Sequence, residues 1–360
     1  MKTGKWIKRC LLALLGLCFL LGLGCMGRAL WLSRGLISQQ QARRWQGESE
    51  VPFAQISCFL PRGEEATMEE LHSFRQSAAQ RLQEAVPEGE IKSLYRDCWS
   101  CRGQAEVSTA LGRGTAQVTA VGGAFFEFHP IPLLSGSYLA ENDLMQDRVV
   151  LDEELAWLLF GGTQLQGLSL KINGQNFVVA GVVDREADRE NRLAWPEETM
   201  GLYMSYAAWE AMNENTGADC YEFIMAQPVK GLAMGLAEEK FPVKEARLLE
   251  NTGRFQPETL LKLVKSFGKR AMQTEPIAYP YWENAARYTE DLCALLLLCG
   301  CALVLPLLLW GLVRGVLLLR RGKRKLSEEL LPRAVESTQE AIRVRQRRRW
   351  ERKHGLHEKR

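Results

Sequence analysis

Histidine is scarce in this sequence, with 4 residues among 360. Between the two long apolar runs only His72 and His129 occur, and they lie far apart in the sequence, so no pair has the close spacing of metal ligands. Serine residues occur without the Gly-x-Ser-x-Gly turn that exposes a nucleophile. The sequence therefore predicts no catalytic residue, no metal ligand and no cofactor.

A nucleotide-binding loop is also missing. Gly162 and Gly167 have the glycine spacing of a phosphate-binding loop, and Ser169 fits its hydroxyl position, but Leu168 stands where the phosphate-binding lysine is required. We therefore interpret these residues as ordinary loop glycines. Any step that consumes ATP must be supplied by another subunit.

Charged residues are absent from two long apolar runs, Cys10–Gly27 and Leu292–Val313. The first run is 18 residues long, roughly 27 Å as a helix, which is sufficient to cross the hydrocarbon core of a bilayer. A cleaved signal peptide is the alternative for this run, but no clear Ala-x-Ala site follows it. We predict transmembrane helices over 10–32 and 291–319.

The net charge of +3 hides a strong segregation of charge. Residues 1–9 carry a net charge of +4 and residues 320–360 carry +9, whereas the remainder carries −10. Positive residues are retained on the cytoplasmic side of membrane proteins. We therefore expect a two-pass protein of the cell membrane, with a cytoplasmic N-terminus (1–9), a cytoplasmic basic tail (320–360) and an outer domain (33–290).

The basic tail allows two interpretations. Attraction to anionic lipid explains the arginine and lysine residues that follow the second span. Docking onto a cytoplasmic partner, through residues such as Arg347, Arg348 and Arg349, is the alternative. Nucleic-acid binding is not expected, because basic runs beside a span also serve to orient the protein.

The outer domain begins with a β-α-β pattern. A strand over 53–60 precedes an amphipathic helix over 67–85, which Thr67 and Glu70 start as a capping box, and a strand over 91–95 follows. Later segments repeat this order, and they comprise strands over 221–226 and 245–250, with a helix over 231–240 between them. We predict an α+β extracytoplasmic domain with β-α-β units and a hairpin-rich subdomain. A polar stalk is expected over 39–49 and a basic amphipathic helix over 257–272.

The hairpin-rich part contains the segment Arg148–Val183. Asp152 can cap a helix that Gly161 and Gly162 end, and the strand that follows alternates apolar and polar residues. Asn173-Gly174 favours a type I′ turn, because both central residues of that turn need positive φ. We predict a strand, a helix and a two-stranded hairpin in this order.

Four cysteines lie in the outer domain, and two of them form the motif Cys98-Trp99-Ser100-Cys101. A local disulfide between Cys98 and Cys101 is the favoured interpretation in an oxidising compartment. Free thiols and a redox-active pair are the alternatives. A metal site is not expected, since no second CxxC motif occurs.

Three segments of the sequence resemble a known family: FFEFHPIPLLSGSYL, RVVLDEELAWLLFGG and GLSLKINGQNFVVAGVV. They are similar to the MacB-type periplasmic core domain, which forms the outer region of MacB/FtsX-like ABC-transporter permeases. The likeness extends over about residues 1–315. The family pattern continues with two further spans, whereas only a short apolar run and the basic tail follow Val313 here. The resemblance implies an outer α+β domain on two helices, in a system driven by a cytoplasmic ATPase.

We therefore expect a non-enzymatic membrane subunit that couples a cytoplasmic ATPase or a full permease to an event outside the cell. A stand-alone membrane-anchored binding or sensor protein is the alternative. Expected contacts with the partner are Asp152 and Glu153 on the predicted helix, and Asp188 and Glu190 in the charged loop after Val183. Members of the family work in pairs, which implies a homodimer or a heterodimer.

Overall fold

The computed structural model describes residues 2–87, 89–141, 143–184, 194, 200–213, 216–267, 269–270, 275–325 and 331–353. The chain divides into two compact units. One unit is Met26–Leu298, named here the sheet domain. The other unit comprises Met1–Cys25 and Cys299–Arg360.

The described residues form helices and strands in alternating groups. The helices are α1 (Lys2–Gly35), α2 (Gln41–Gln46), α3 (Met68–Ala85), α4 (Ile91–Leu94), α5 (Phe125–Phe128), α6 (Glu153–Phe160), α7 (Tyr206–Met212), α8 (Leu232–Lys240), α9 (Pro257–Lys262), α10 (Tyr281–Lys325) and α11 (Leu331–Lys353), with 3₁₀ turns at Ile37–Gln39 and Leu263–Ser266. The strands are β1 (Phe53–Phe59), β2 (Tyr95–Ser108), β3 (Arg113–Gly123), β4 (Leu133–Gly136), β5 (Arg148–Asp152), β6 (Ser169–Ile172), β7 (Gln175–Val183), β8 (Gly201–Ser205), β9 (Cys220–Ala226) and β10 (Arg247–Glu250).

One mixed sheet contains all ten of these strands, in the order β10-β1-β9-β2-β3-β8-β5-β7-β4, while β6 pairs with β2 and β7. The β3–β8 and β5–β7 pairs are parallel and the other pairs are antiparallel. Strand β9 lies between β1 and β2, and β1 lies between β9 and β10. The four strands of this half thus form two interleaved β-α-β units, β1-α3-β2 and β9-α8-β10, in the ferredoxin-like arrangement. The predicted α+β class and the predicted repeat of the first unit are both confirmed.

Helix α3 provides the core of this half. Thr67 and Glu70 form the predicted capping box, and the apolar face of the helix is buried. Phe74 packs edge-on against Tyr221, Phe223 and Phe241, with ring centroids 5.4–5.7 Å apart. Burial of these rings holds the helix layer on the sheet.

The segment Arg148–Val183 folds as predicted. Asp152 caps α6 by accepting a hydrogen bond from the Leu155 amide at 2.7 Å. Gly161 ends the helix with φ +75°, and Asn173 and Gly174 form the hairpin turn with φ +46° and +84°. Local turn and cap chemistry was sufficient to define this part of the fold.

Two predicted segments differ in the structure. The expected strand over 91–95 is wrong, because residues 91–94 form the single-turn helix α4 and β2 starts only at Tyr95. Strand β2 then continues through the CxxC motif. Charged residues there interrupt the alternation of apolar and polar residues that would predict a strand. The helix expected over 257–272 is shorter and stops at Lys262, where a 3₁₀ turn begins. Residues 268, 271 and 272 of that prediction lie outside the described residues.

The predicted polar stalk is wrong over its first residues. Gln39, Gln41 and Ala42 are buried. The Gln41 side chain donates to the Phe128 carbonyl at 2.9 Å, and the Gln55 side chain donates to the Ser38 carbonyl at 2.7 Å. Gln39 and Gln41 are therefore docked against the sheet, where the polar side chain of Gln41 satisfies a buried backbone group, whereas residues 43–45 and 47–49 are exposed.

In the second unit, α1 packs closely against α10 at Gly22. A Cβ atom at this position would lie 2.7 Å from Val304 Cγ2 and 2.9 Å from the Gly300 carbonyl oxygen. Small residues of this kind allow helix backbones to approach in membranes. The absence of a side chain at Gly22 therefore allows the two apolar helices to approach closely at this point.

Candidate functional site at the base of the sheet domain

Two helices in the described part of the chain are long and apolar enough to cross a membrane, namely α1 over Arg9–Gly35 and α10 over Tyr281–Arg324. The first residues of α10 and the last residues of α1 belong to the sheet domain. There, Ala29 and Leu32 form an apolar cluster with Cys293 and Ala294, together with Leu260 of α9. The Cys293 thiol donates to the Ala29 carbonyl at 3.4 Å.

A buried ion-pair network lies next to this cluster. It comprises Gln39, Asn251, Arg254, Arg270, Glu283, Arg287, Glu290 and Asp291. Arg254 lies at its centre with its side chain 5% exposed. Its guanidinium makes a bidentate pair with Glu283 at 2.8 and 2.9 Å, and its Nε donates to Glu290 at 2.7 Å. Bidentate pairing of this kind gives the strongest and most directional ion pairs.

Two further arginines complete the network. Arg287 donates to Glu283 at 2.7 Å and stacks on the Tyr279 ring, 3.5 Å from its centroid. Arg270 donates to Glu290 and, at 3.1 Å, to Asp291. Three arginines therefore face three carboxylates, so the network is balanced in charge.

The network joins three separate parts of the sheet domain. Glu283, Arg287 and Glu290 lie on α10, one or two helical turns apart. Arg254 comes from the segment after β10 and also donates to Gln39, in the 3₁₀ turn after α1, at 2.9 Å. The Arg254 guanidinium therefore contacts both the first turns of α10 and the turn that follows α1. Arg254 itself lies just after β10, at the edge of the sheet.

Glu283 is ionised within this network. Burial alone would raise its pKa, but the charges of Arg254 and Arg287 outweigh this effect and lower the pKa below its ordinary value. The same attraction outweighs burial at Arg254 and raises the pKa of its guanidinium. Arg254 and Glu283 are therefore both charged at neutral pH, and loss of either one leaves the charge of the other buried without its main partner.

Sequence reasoning missed this network. A signal was present in the spacing of Glu283, Arg287 and Glu290, which places three charges on one helical face directly before an apolar run. Arg254 carried no such signal, because its partners lie about thirty residues further along the chain. Only the tertiary structure brings them together.

The predicted partner contacts have different environments. Asp152 is buried, caps α6 and also accepts a hydrogen bond from the Gly201 amide, so its prediction as a surface contact is wrong. Glu153 is exposed in the first turn of α6. Asp188 and Glu190 lie outside the described residues. Arg347, Arg348 and Arg349 are exposed on α11.

The predicted local disulfide is contradicted. Cys98 and Cys101 are free, buried thiols on the continuous strand β2. Three residues along a strand separate Cα atoms by about 10 Å, which is beyond the reach of a disulfide. Burial also raises the pKa of both thiols, which disfavours the reactive thiolate that a redox pair needs. Free thiols, one of the three alternatives, match the structure.

Comparison with known proteins identifies the family. Residues 35–241 match the family model of the MacB-like periplasmic core domain. No curated protein matches the chain.

Among solved structures, the fold is similar to the extracellular domain of the noncanonic ABC-type transporter YknZ from Gram-positive bacteria (11% identity, TM-score 0.38, covering 55% of this chain and 99% of that chain). It is also similar to the periplasmic region of MacB from Actinobacillus actinomycetemcomitans (15% identity, TM-score 0.41, covering 59% of this chain and 92% of that chain). Because the family match covers more than half of the 360 residues, this chain belongs to the MacB-like periplasmic core domain family and is an ABC-transporter permease-like membrane protein with an extracytoplasmic domain.

Proposed function

We propose that the chain is a non-enzymatic membrane subunit that couples a cytoplasmic ABC ATPase, or a full permease, to an event in the extracytoplasmic space. The observation that carries this proposal is the buried ion-pair network at the base of the sheet domain. Arg254 binds Glu283 and Glu290 of α10 directly. If α10 moved alone, its ion pairs with Arg254 would break and leave buried charges without partners. A movement of α10 therefore also moves Arg254 and the edge of the sheet.

The path from Arg254 into the sheet is short. The Asn251 amide donates to the Gln55 carbonyl of β1 at 2.9 Å, and the Asn251 side chain donates to Ser57 at 2.7 Å. Strand β1 lies between β10 and β9. A displacement of the segment 251–254 therefore acts on the ferredoxin-like half of the sheet directly.

The partner is an ABC ATPase or a permease chain bound in trans. We propose Glu153, Asp188 and Glu190 as contacts on the outer side, and Arg347, Arg348 and Arg349 as contacts on the cytoplasmic side, where the basic tail also attracts anionic lipid. The chain is proposed to act as a homodimer or a heterodimer. Both termini are proposed to lie in the cytoplasm.

Affinity purification of the full chain in mild detergent tests the coupling proposal. We expect an ABC ATPase or permease chain to be recovered in a fixed ratio to the tagged subunit, and an unrelated two-span protein with the same tag serves as the background control. Charge reversal of Arg347, Arg348 and Arg349 is expected to lower recovery of the ATPase. Failure to recover either partner from the native membrane would contradict the proposal and favour a stand-alone binding or sensor protein.

The proposed topology gives a second prediction. Leu144, which is 95% exposed in the sheet domain, is expected to be labelled by a membrane-impermeant thiol reagent in intact cells when it is changed to cysteine. Ser337, exposed on α11, is expected to be labelled as Ser337→Cys only after the cells are lysed. The native cysteines of the sheet domain give little background because Cys58, Cys98, Cys101 and Cys220 are buried. Labelling of Ser337→Cys in intact cells would contradict the cytoplasmic location of the tail.

A further inference from the structure

Cys98, His129 and Glu222 converge inside the sheet domain. One ligand atom from each residue lies within 4.8 Å of the other two, and all three residues are buried. They come from β2, from the turn after α5 and from β9. Sequence spacing gave no hint of this cluster, because the three residues lie far apart in the sequence and His129 was not expected to bind a metal.

The sheet register explains the convergence. Cys98 lies directly opposite Glu222 in the antiparallel β2–β9 pair, and Ser57 lies opposite Glu222 on the other side, in β1. Directly opposed residues point to the same face of a sheet, so the three side chains form a row. Helix α5 then places His129 over this row, where its Nε2 atom contacts a Glu222 carboxylate oxygen.

A second layer of hydrogen bonds orients the carboxylate. Ser57 Oγ donates to the other Glu222 oxygen at 2.5 Å and accepts from Asn251 Nδ2 at 2.7 Å. The remaining ring nitrogen of His129, Nδ1, is buried and has no hydrogen-bond partner among the described residues. An oriented carboxylate, an imidazole and a thiol therefore lie close together, and all three residues are buried.

We propose that Cys98, His129 and Glu222 bind a divalent cation of borderline softness, with Zn²⁺ as the best match. Thiolate, imidazole and carboxylate are the three ligand types of protein zinc sites, and their metal–ligand distances of about 2.0–2.3 Å place the ligand atoms roughly 3.3–3.7 Å apart. Binding replaces the His129–Glu222 hydrogen bond, moves the imidazole proton from Nε2 to the unpartnered Nδ1 so that Nε2 can coordinate, and releases the Cys98 thiol proton. A water molecule would complete a tetrahedral site, while Ser57 continues to orient the Glu222 carboxylate.

The cation would connect the sheet to α10. The Trp282 ring, in the first turn of α10, lies 4.2 Å from the His129 ring, centroid to centroid. A metal bound by β2, β9 and His129 fixes the surface on which Trp282 packs. This inference goes beyond the proposed coupling function and does not depend on it, since metal binding is measured without a partner.

Cobalt substitution tests the proposal. The full-length chain in detergent, freed of metal with a chelator, is titrated with Co²⁺ and then with competing Zn²⁺. We expect one Co²⁺ per chain, a cobalt–thiolate charge-transfer band, and displacement of Co²⁺ by Zn²⁺. Cys98→Ser is expected to abolish the band and to weaken binding at least about tenfold.

Cys101→Ser is the matched control, because Cys101 is a buried thiol on the same strand, three residues away. We expect it to keep the band unchanged. His129→Gln, whose amide can still hydrogen-bond Glu222, provides a second variant if Cys98→Ser does not fold, and it is also expected to lose the metal. Absence of the band in the parent chain, its persistence in Cys98→Ser or His129→Gln, or equal loss in Cys101→Ser would overturn the proposal.

Discussion

Replacement of Arg254 by alanine is expected to lower the free energy of unfolding of the full-length chain by about 3–5 kcal/mol. The guanidinium is 5% exposed and is the only group that contacts both Glu283 and Glu290 in the part of the chain that the structure describes. Without it, both carboxylates remain buried, and only Arg287 contacts Glu283 and only Arg270 contacts Glu290 among the arginines of the network. Chemical unfolding in detergent, followed by tryptophan fluorescence, measures the loss.

The matched control is Arg81→Ala. Arg81 makes an ion pair of similar length with Glu239, at 2.9 Å, but both side chains are more than a third exposed. Exposed pairs contribute less than about 1 kcal/mol, so this variant is expected to unfold almost as the parent does. Equal losses for the two variants would show that the network is not a buried constraint.

Glu283→Gln gives an independent check of the same network. Because Arg254 and Glu283 contact each other, the double variant Arg254→Ala/Glu283→Gln is expected to cost less than the sum of the single changes. Removal of both members leaves less uncompensated charge than removal of one. Additive losses would mean that the two residues stabilise the base of α10 separately, and would contradict the network as a coupling element.

The segment Arg148–Val183 could be predicted from sequence because its signals are local. A cap such as Asp152, a left-handed glycine such as Gly161 and the turn Asn173-Gly174 each act within four residues of the chain. No knowledge of the neighbouring strands is needed to place them. Even so, sequence reasoning placed Asp152 on the surface, because the burial of the cap depends on β8, which lies about fifty residues further on.

The candidate site could not be predicted for the opposite reason. Arg254 meets Glu283 and Gln39 across long sequence separations, and His129 meets Glu222 because α5, which precedes His129, packs against β2, the neighbour of β9 in the sheet. The course of β2 could not be predicted for the same reason, because the CxxC motif suggested a local disulfide. The pairing of Cys98 with Glu222 and of Cys101 with Ala120 makes it a continuous strand. Such pairings follow from the register of the sheet and leave no periodic trace in the sequence.

Gly136 is the position at which addition of one methyl group is expected to have the largest effect. It ends β4, pairs with Gly181 of β7 and has φ +75°. A Cβ atom there would lie 2.1 Å from the Ala180 carbonyl oxygen and 2.7 Å from Gly181 Cα, and both are backbone atoms that a rotamer change cannot move. The β4–β7 pairing must open for an alanine to fit.

Gly161 is the matched control for this change, because it also has φ +75° but a Cβ atom would meet no atom within 4 Å. Gly161→Ala is expected to cost about 1–2 kcal/mol, from the left-handed backbone alone. Gly136→Ala carries the same backbone cost plus the cost of overpacking, and is expected to lose about 2–5 kcal/mol. Thermal unfolding of both full-length variants in the same detergent measures the difference. Equal losses would mean that backbone conformation alone requires glycine at Gly136, and that β4 is free to move away from β7.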